Sequence, residues 1–157
     1  IVANPIKTAD GMKSKKRVVQ LAEVRKHWIK DPEEEGGFVD LLKYNVEKDE
    51  LEASEELING DSEIIKNIAS GVKGWAGNWD AVYDNILLRA KVKQELVDVS
   101  EKMKMPEILE AGFNCLSNNM FHQFSEKVRE EIGLPSSDRV FPMWQDWLMN
   151  QVKGKRI

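Results

Sequence analysis

Cys115 and His122 form the one thiol–imidazole combination that the sequence brings close together. They lie about two helical turns apart, so on one helix they share a face, and a thiolate–imidazole pair is geometrically allowed. No third group at compatible spacing would orient the imidazole, and a lone cysteine on a helix ordinarily serves as a small apolar filler. Metal chemistry needs several ligands at matched spacing. His27 and His122 stand far apart, with no neighbouring ligand pattern. The stretch Ser70-Gly71-Val72-Lys73-Gly74-Trp75-Ala76-Gly77 is the nearest approach to a phosphate-wrapping loop. Its glycines are wrongly spaced and no Ser or Thr follows its lysine, so it reads as a helix end and a joint. Carboxylate pairs occur at Glu33–Glu35, Glu55–Glu56 and Glu130–Glu131, each within a highly charged segment where solvation is the expected outcome. Catalytic residues, metal ligands and cofactor sites are therefore expected to be absent from this chain.

Contact chemistry is better represented. The cluster Lys13-Ser14-Lys15-Lys16-Arg17 could hold phosphate or an acidic partner surface, or could be the charged entry to a strand beginning at Val18. It lacks interleaved aromatics, which argues against single-stranded nucleic acid. Five tryptophans are many for this length. Trp75 and Trp79 suit core packing somewhat better than a partner surface. Trp144 and Trp147, three apart near the C-terminal end, suit either a core or an apolar contact. The candidate partner-contact residues are Lys15, Lys16, Arg17, Trp144 and Trp147.

The elements that position these residues follow from composition and period. A chain of 157 residues with 41% hydrophobic and 32% charged residues is globular and can bury a core. It has no apolar run of membrane-spanning length. The single cysteine precludes an internal disulfide and fits a reducing compartment. A net charge of −4 argues against general attraction to nucleic acid. Starting at Ile1, the chain reads as a piece excised from a larger cytoplasmic protein.

Residues 1–14 read as a loop or an incoming edge. The β-branched run from Arg17 to Arg25 predicts a strand, and Pro32 with Gly36-Gly37 breaks it. Phe38–Tyr44 predicts a second strand, and a short third is expected near Leu51. Beyond residue 54 the pattern turns helical. Ile64, Ile65, Ile68, Ala69 and Val72 share a face, with Asp61 or Ser62 as cap. A long helix starts from Asn78 or Asp80. Another begins with Pro106 and runs through Leu109, Phe113, Leu116, Met120, Phe124, Val128 and Ile132. Ser137 or Asp138 caps the last one, which carries Phe141, Trp144, Trp147 and Leu148. The expected fold class is α+β: a hairpin or short sheet over residues 1–55, then a mainly α, four-helix part over residues 56–157.

The order of these features resembles the C-terminal region of archaeal secretion ATPases of the type II secretion and type IV pilus class. The resemblance lies in Lys15-Lys16-Arg17-Val18-Val19-Gln20-Leu21-Ala22-Glu23-Val24, a basic pair leading into a strand that ends in Glu-Val. It continues in Phe38-Val39-Asp40-Leu41-Leu42-Lys43-Tyr44-Asn45 with Asp49, in Ser62–Ala69, and in Leu87-Leu88-Arg89-Ala90. It spans residues 11–98, departs from the pattern at Asp31–Gly37 and Gly74–Asn78, and leaves the last sixty or so residues unmatched. What it implies is a homo-hexameric parent motor at the cytoplasmic face of a membrane platform protein. ATP and Mg would bind upstream of Ile1, and this piece would serve as a coupling or interaction domain, non-catalytic in isolation. The alternative is a stand-alone helical adaptor or nucleic-acid-associated module.

Overall fold

The β-branched run lies in an eleven-residue strand of the computed structural model, which describes residues 1–155 and 157. Four strands, β1 (Val2–Lys7), β2 (Ser14–Val24), β3 (Phe38–Asn45) and β4 (Glu50–Ala53), form one antiparallel sheet in chain order. Part of the segment expected as loop or edge is thus the edge strand β1. It tolerates Pro5, because an edge strand has one side with no ladder bond to lose. β2 and β3 align Leu21 with Leu42 and Glu23 with Val39, and the register slips by one residue between Leu21 and Ala22. The extra residue on β3 is Leu41, which is buried.

Two helices fold back within the same compact unit, residues 1–69. The short helix α1 (Glu55–Asn59) was not expected from the sequence. Its cap Ser54 accepts from the Leu57 N–H at 3.1 Å and donates to the Asp40 carbonyl at 2.6 Å, fixing the helix start to β3. α1 stops at Gly60, whose φ of 85° is open to glycine at no steric cost. Helix α2 (Glu63–Ser70) starts from Ser62, which accepts from the Ile65 N–H at 3.1 Å. Ser62 in turn donates to Glu23 at 2.5 Å, and the Glu63 and Ile64 N–H groups donate to the same carboxylate at 2.9 and 3.4 Å. The Glu23 side chain is 1% exposed, with the Arg25 guanidinium 3.8 Å away.

The second compact unit, residues 70–157, is helical. α3 (Trp79–Met103) is capped by Asn78, which accepts from the Ala81 N–H at 3.2 Å. Pro106 opens a separate 3-10 turn, Pro106–Leu109, rather than the next α-helix. Glu110 then turns extended (ψ 153°) and interrupts the path into α4 (Ala111–Ile132). The buried face of α4 also differs from the apolar pattern in the sequence. Leu109, Leu116 and Ile132 are exposed, whereas Phe113, Ser117, Phe121, Ser125 and Val128 face inward. Two serines occupy that inner stripe, so a reading by hydropathy drifts onto neighbouring residues.

α5 (Ser137–Lys153) is not capped by the Ser137 or Asp138 side chain. Instead, the Ser137 N–H and hydroxyl both donate to Asp84 of α3, at 3.0 and 2.6 Å. The core of this unit gathers Leu88, Val92 and Leu96 of α3, Phe121 and Val128 of α4, and Val140, Trp144 and Leu148 of α5. Trp144 is completely enclosed and donates its indole N–H to Ser117 Oγ at 3.2 Å. Trp147 stacks on Phe113, with ring centroids 5.8 Å apart.

Glu23→Ala is expected to destabilise the sheet unit by about 2–3 kcal/mol, since it leaves a buried hydroxyl and two amides without their acceptor. Urea unfolding followed by far-UV circular dichroism measures the loss. In the helical unit, Trp144→Ala is expected to cost about 3–5 kcal/mol and Trp144→Phe much less, the difference reflecting cavity volume. Equal losses for the two variants would show that the hydrogen bond to Ser117, rather than packing, sets the stability there.

Candidate functional site

Strand geometry divides the basic cluster. Neighbouring side chains on a strand point to opposite faces, so Lys15 and Arg17 emerge together and Lys16 on the other side. In the register with β1, Lys15 sits opposite Ile6, Lys16 opposite Pro5 and Arg17 opposite Asn4. Lys15 and Arg17 line an open groove of 370 Å³ whose other walls include Lys7, Tyr44, Val46 and Asp49. The three basic residues therefore do not form one contact patch. Two of them meet a groove, and Lys16 is exposed elsewhere on the strand.

Arg17 is engaged inside that groove. Its guanidinium grips Asp49 with both arms, Nε at 2.8 Å and Nη2 at 3.1 Å, and the Tyr44 hydroxyl donates to the same carboxylate at 2.5 Å. Asp49 lies in the β3–β4 turn with φ of 52°, a left-handed conformation that aspartate tolerates better than most residues. The Arg17 and Tyr44 hydrogen bonds hold the Asp49 carboxyl far below the usual carboxylate range, and the positive charge of Lys15 adds to this. Tyr44 is moved the other way. Its bond to Asp49 and partial desolvation stabilise the neutral phenol and raise its pKa. Residues quoted singly from β2, β3 and the following turn thus converge on one ion-paired node. The other cations of the groove are Lys7 and Lys15, for which no hydrogen bond or ion pair is seen among the described residues.

A second feature of the sheet unit was not anticipated. The β2–β3 connection is held largely by polar bonds. Glu35 accepts from the N–H groups of Ile29, Lys30 and Asp31 at 2.8, 2.8 and 3.1 Å, and those bonds hold its pKa below the ordinary value. Asp31 in turn accepts from the Glu33 N–H at 2.9 Å. At Gly37 a Cβ would lie 2.9 Å from both Pro32 and the Trp28 indole, so only glycine fits there. This framework leaves Ile29 89% exposed and Trp28 40% exposed. At the adjoining strand ends, the directly paired Val24 and Phe38 are also exposed. The signal in the sequence was Trp28-Ile29 placed just before a Pro/Gly-bounded acidic stretch, where apolar residues have no core to enter.

The remaining candidates resolve plainly. Trp144 is core and cannot offer an apolar contact to a partner, while Trp147 is half-buried against Phe113. Cys115 is exposed rather than a buried filler, and His122 is exposed with its ring edge-on to Phe121. Gly74 has φ of 90°, and the Gly133 carbonyl lies 2.6 Å from where its Cβ would stand, so this glycine permits a close backbone approach. Among the described residues, no cluster of His, Cys, Asp or Glu is placed to hold a metal, and no helix is long and apolar enough to cross a membrane.

The Tyr44 shift has a measurable sign. A raised phenol contributes stability below its ordinary pKa of about 10, and this is lost as pH climbs through the higher folded value. Alkaline titration followed at the tyrosinate absorbance is expected to place Tyr44 above that ordinary value, and Asp49→Asn is expected to bring it back down. An unchanged titration in the variant would mean that Asp49 does not hold the phenol.

No family model, curated protein or solved structure matches the chain.

Proposed function

We propose that this chain is the C-terminal coupling and interaction part of a secretion-system or pilus-assembly ATPase, and that it turns over no substrate itself. The observation that carries the reading is the β2–β3 hairpin end. A loop fixed by carboxylate-to-amide bonds presents Ile29 and Trp28 to solvent, beside the exposed pair Val24 and Phe38. Apolar side chains displayed on a pre-ordered loop lose little conformational entropy on docking, and tryptophan is enriched at interaction hot spots. The Arg17–Tyr44–Asp49 node lends support from another side, because it joins segments on which the resemblance to secretion ATPases rests.

In this reading the parent motor binds ATP and Mg through segments upstream of Ile1 and works as a homo-hexamer beside a membrane platform protein. The hairpin end docks against the motor core or the platform. Lys15 and Lys7 add an electrostatic contact in the neighbouring groove.

Reading the coding sequence upstream of Ile1 is the decisive experiment. A Gly-Lys-Ser/Thr loop between a strand and a helix is the expected result. A start codon just before Ile1 would instead leave a stand-alone adaptor. In the full-length polypeptide, Ile29→Asp is expected to weaken association with the docked partner at least roughly tenfold, while the circular dichroism of the chain stays unchanged. Undiminished association would remove the hairpin from the interface.

A further inference from the structure

The helical unit contains a cleft with a chemistry of its own, independent of the sheet unit. It lies between α3 and α4 and measures 160 Å³. Val92, Leu96 and Phe121 form the apolar part of its lining, and Asn114, Ser117 and Asn118 of α4 form a polar part. Benzene fits a cavity of about 150 Å³, so the cleft has room for one aromatic ring or one branched alkyl group.

The rim is cationic. Arg89 and Lys93, one turn apart on α3, both line the opening. Like charges at that spacing repel each other, and among the described residues no carboxylate pairs with either one. Arg89 is also oriented. Its Nε donates to the buried Asn85 side chain at 2.9 Å, and its guanidinium carbon sits 5.1 Å from the centre of the Phe121 ring. With Nε taken by Asn85, the two terminal nitrogens are the donors of Arg89 for which no partner is seen among the described residues. Two such donors can receive a planar carboxylate through parallel hydrogen bonds.

We infer that the α3–α4 cleft is a binding site for a small apolar monocarboxylate, an aryl or branched-alkyl acid whose hydrocarbon part lies against Phe121, Val92 and Leu96. Its carboxylate bridges Arg89 and Lys93. Inorganic phosphate would meet the same cations but has nothing to place on the apolar floor, so it binds weakly. A neutral molecule of the same shape fills the floor and leaves both cations unmatched.

A two-dimensional amide and indole NMR titration of the whole chain tests this, with 3-phenylpropionate as the probe. Saturable shifts are expected at Ser117, Phe121, Arg89 and the Trp144 indole N–H, which lies directly behind Ser117. 3-Phenylpropan-1-ol is expected to bind roughly tenfold more weakly, and Arg89→Gln to weaken the acid by a similar factor while leaving the alcohol unchanged. Arg89 is exposed, so the variant should keep its fold. If it does not, Lys93→Gln and the acid-to-alcohol comparison on the native chain carry the same test. Absence of saturable shifts up to about 10 mM probe, equal affinity for acid and alcohol, or shifts centred elsewhere would each overturn the assignment.

Discussion

The sheet unit hangs on one buried carboxylate. Glu23 stands near the end of β2, where pairing with Val39 fixes its position, and it collects the Ser62 hydroxyl and the first two amides of α2. A helix N-terminus needs acceptors for its leading N–H groups and favours negative charge there. Ser62 satisfies one such amide from within the chain, and Glu23 satisfies two more from the sheet. Only an ionised carboxylate has two oxygens able to accept from all three donors. A glutamine would turn an N–H₂ group toward some of them. The strand and the helix are therefore joined by hydrogen bonds, and the apolar core beneath them is small, with Leu41, Leu57 and Ala69 as its buried members. In such a unit a polar tether weighs more than it would under a large hydrophobic core.

The same device recurs on the surface with a different result. Glu35 also gathers backbone amides, yet it does so in a largely exposed loop. Because those amides favour the charged carboxylate, the order they confer is complete above the ordinary glutamate pKa and fades as pH falls through the lowered one. Ordering a loop that covers only part of Trp28 and Pro32 gives stability little hydrophobic return. What it does deliver is a fixed position for Ile29 and Trp28.

How much of this was legible in the sequence depended on whether the signal was local. β-branched runs and period-3.6 patterns placed β2, β3 and the long helices, because each is written within a few neighbouring residues, whereas β1 carried no such pattern. Ser62 and Asn78 were readable as caps for the same reason. Tertiary pairing was not readable. Glu23 stood out as a strand end, but its role requires Ser62 to be beside it, far along the chain. Arg17 looked like one third of a basic patch, yet its charge is matched by Asp49. In α4 the pattern pointed to Leu116, while the buried neighbour is Ser117, a residue that hydropathy ranks as surface. Trp144 and Trp147 offered even prospects of core or contact, and only the partners settle them: Ser117 for the first, Phe113 for the second.

Those partners also explain why the helical unit is not filled throughout. Trp144 is wholly enclosed, and an indole N–H buried without an acceptor is costly. The acceptor comes from α4, where a serine at position 117 supplies it. Serine is small, however, and at this point of the inner stripe a leucine would have reached toward Val92 and Leu96 of α3. Satisfying one polar atom in the core thereby leaves a gap between α3 and α4, floored by side chains that would otherwise have been covered. Above that gap, Asn85 and Phe121 hold Arg89 in place without neutralising it. The cleft thus lies beside the serine that partners the Trp144 indole, and its cationic rim is set separately by Arg89 and Lys93 of α3.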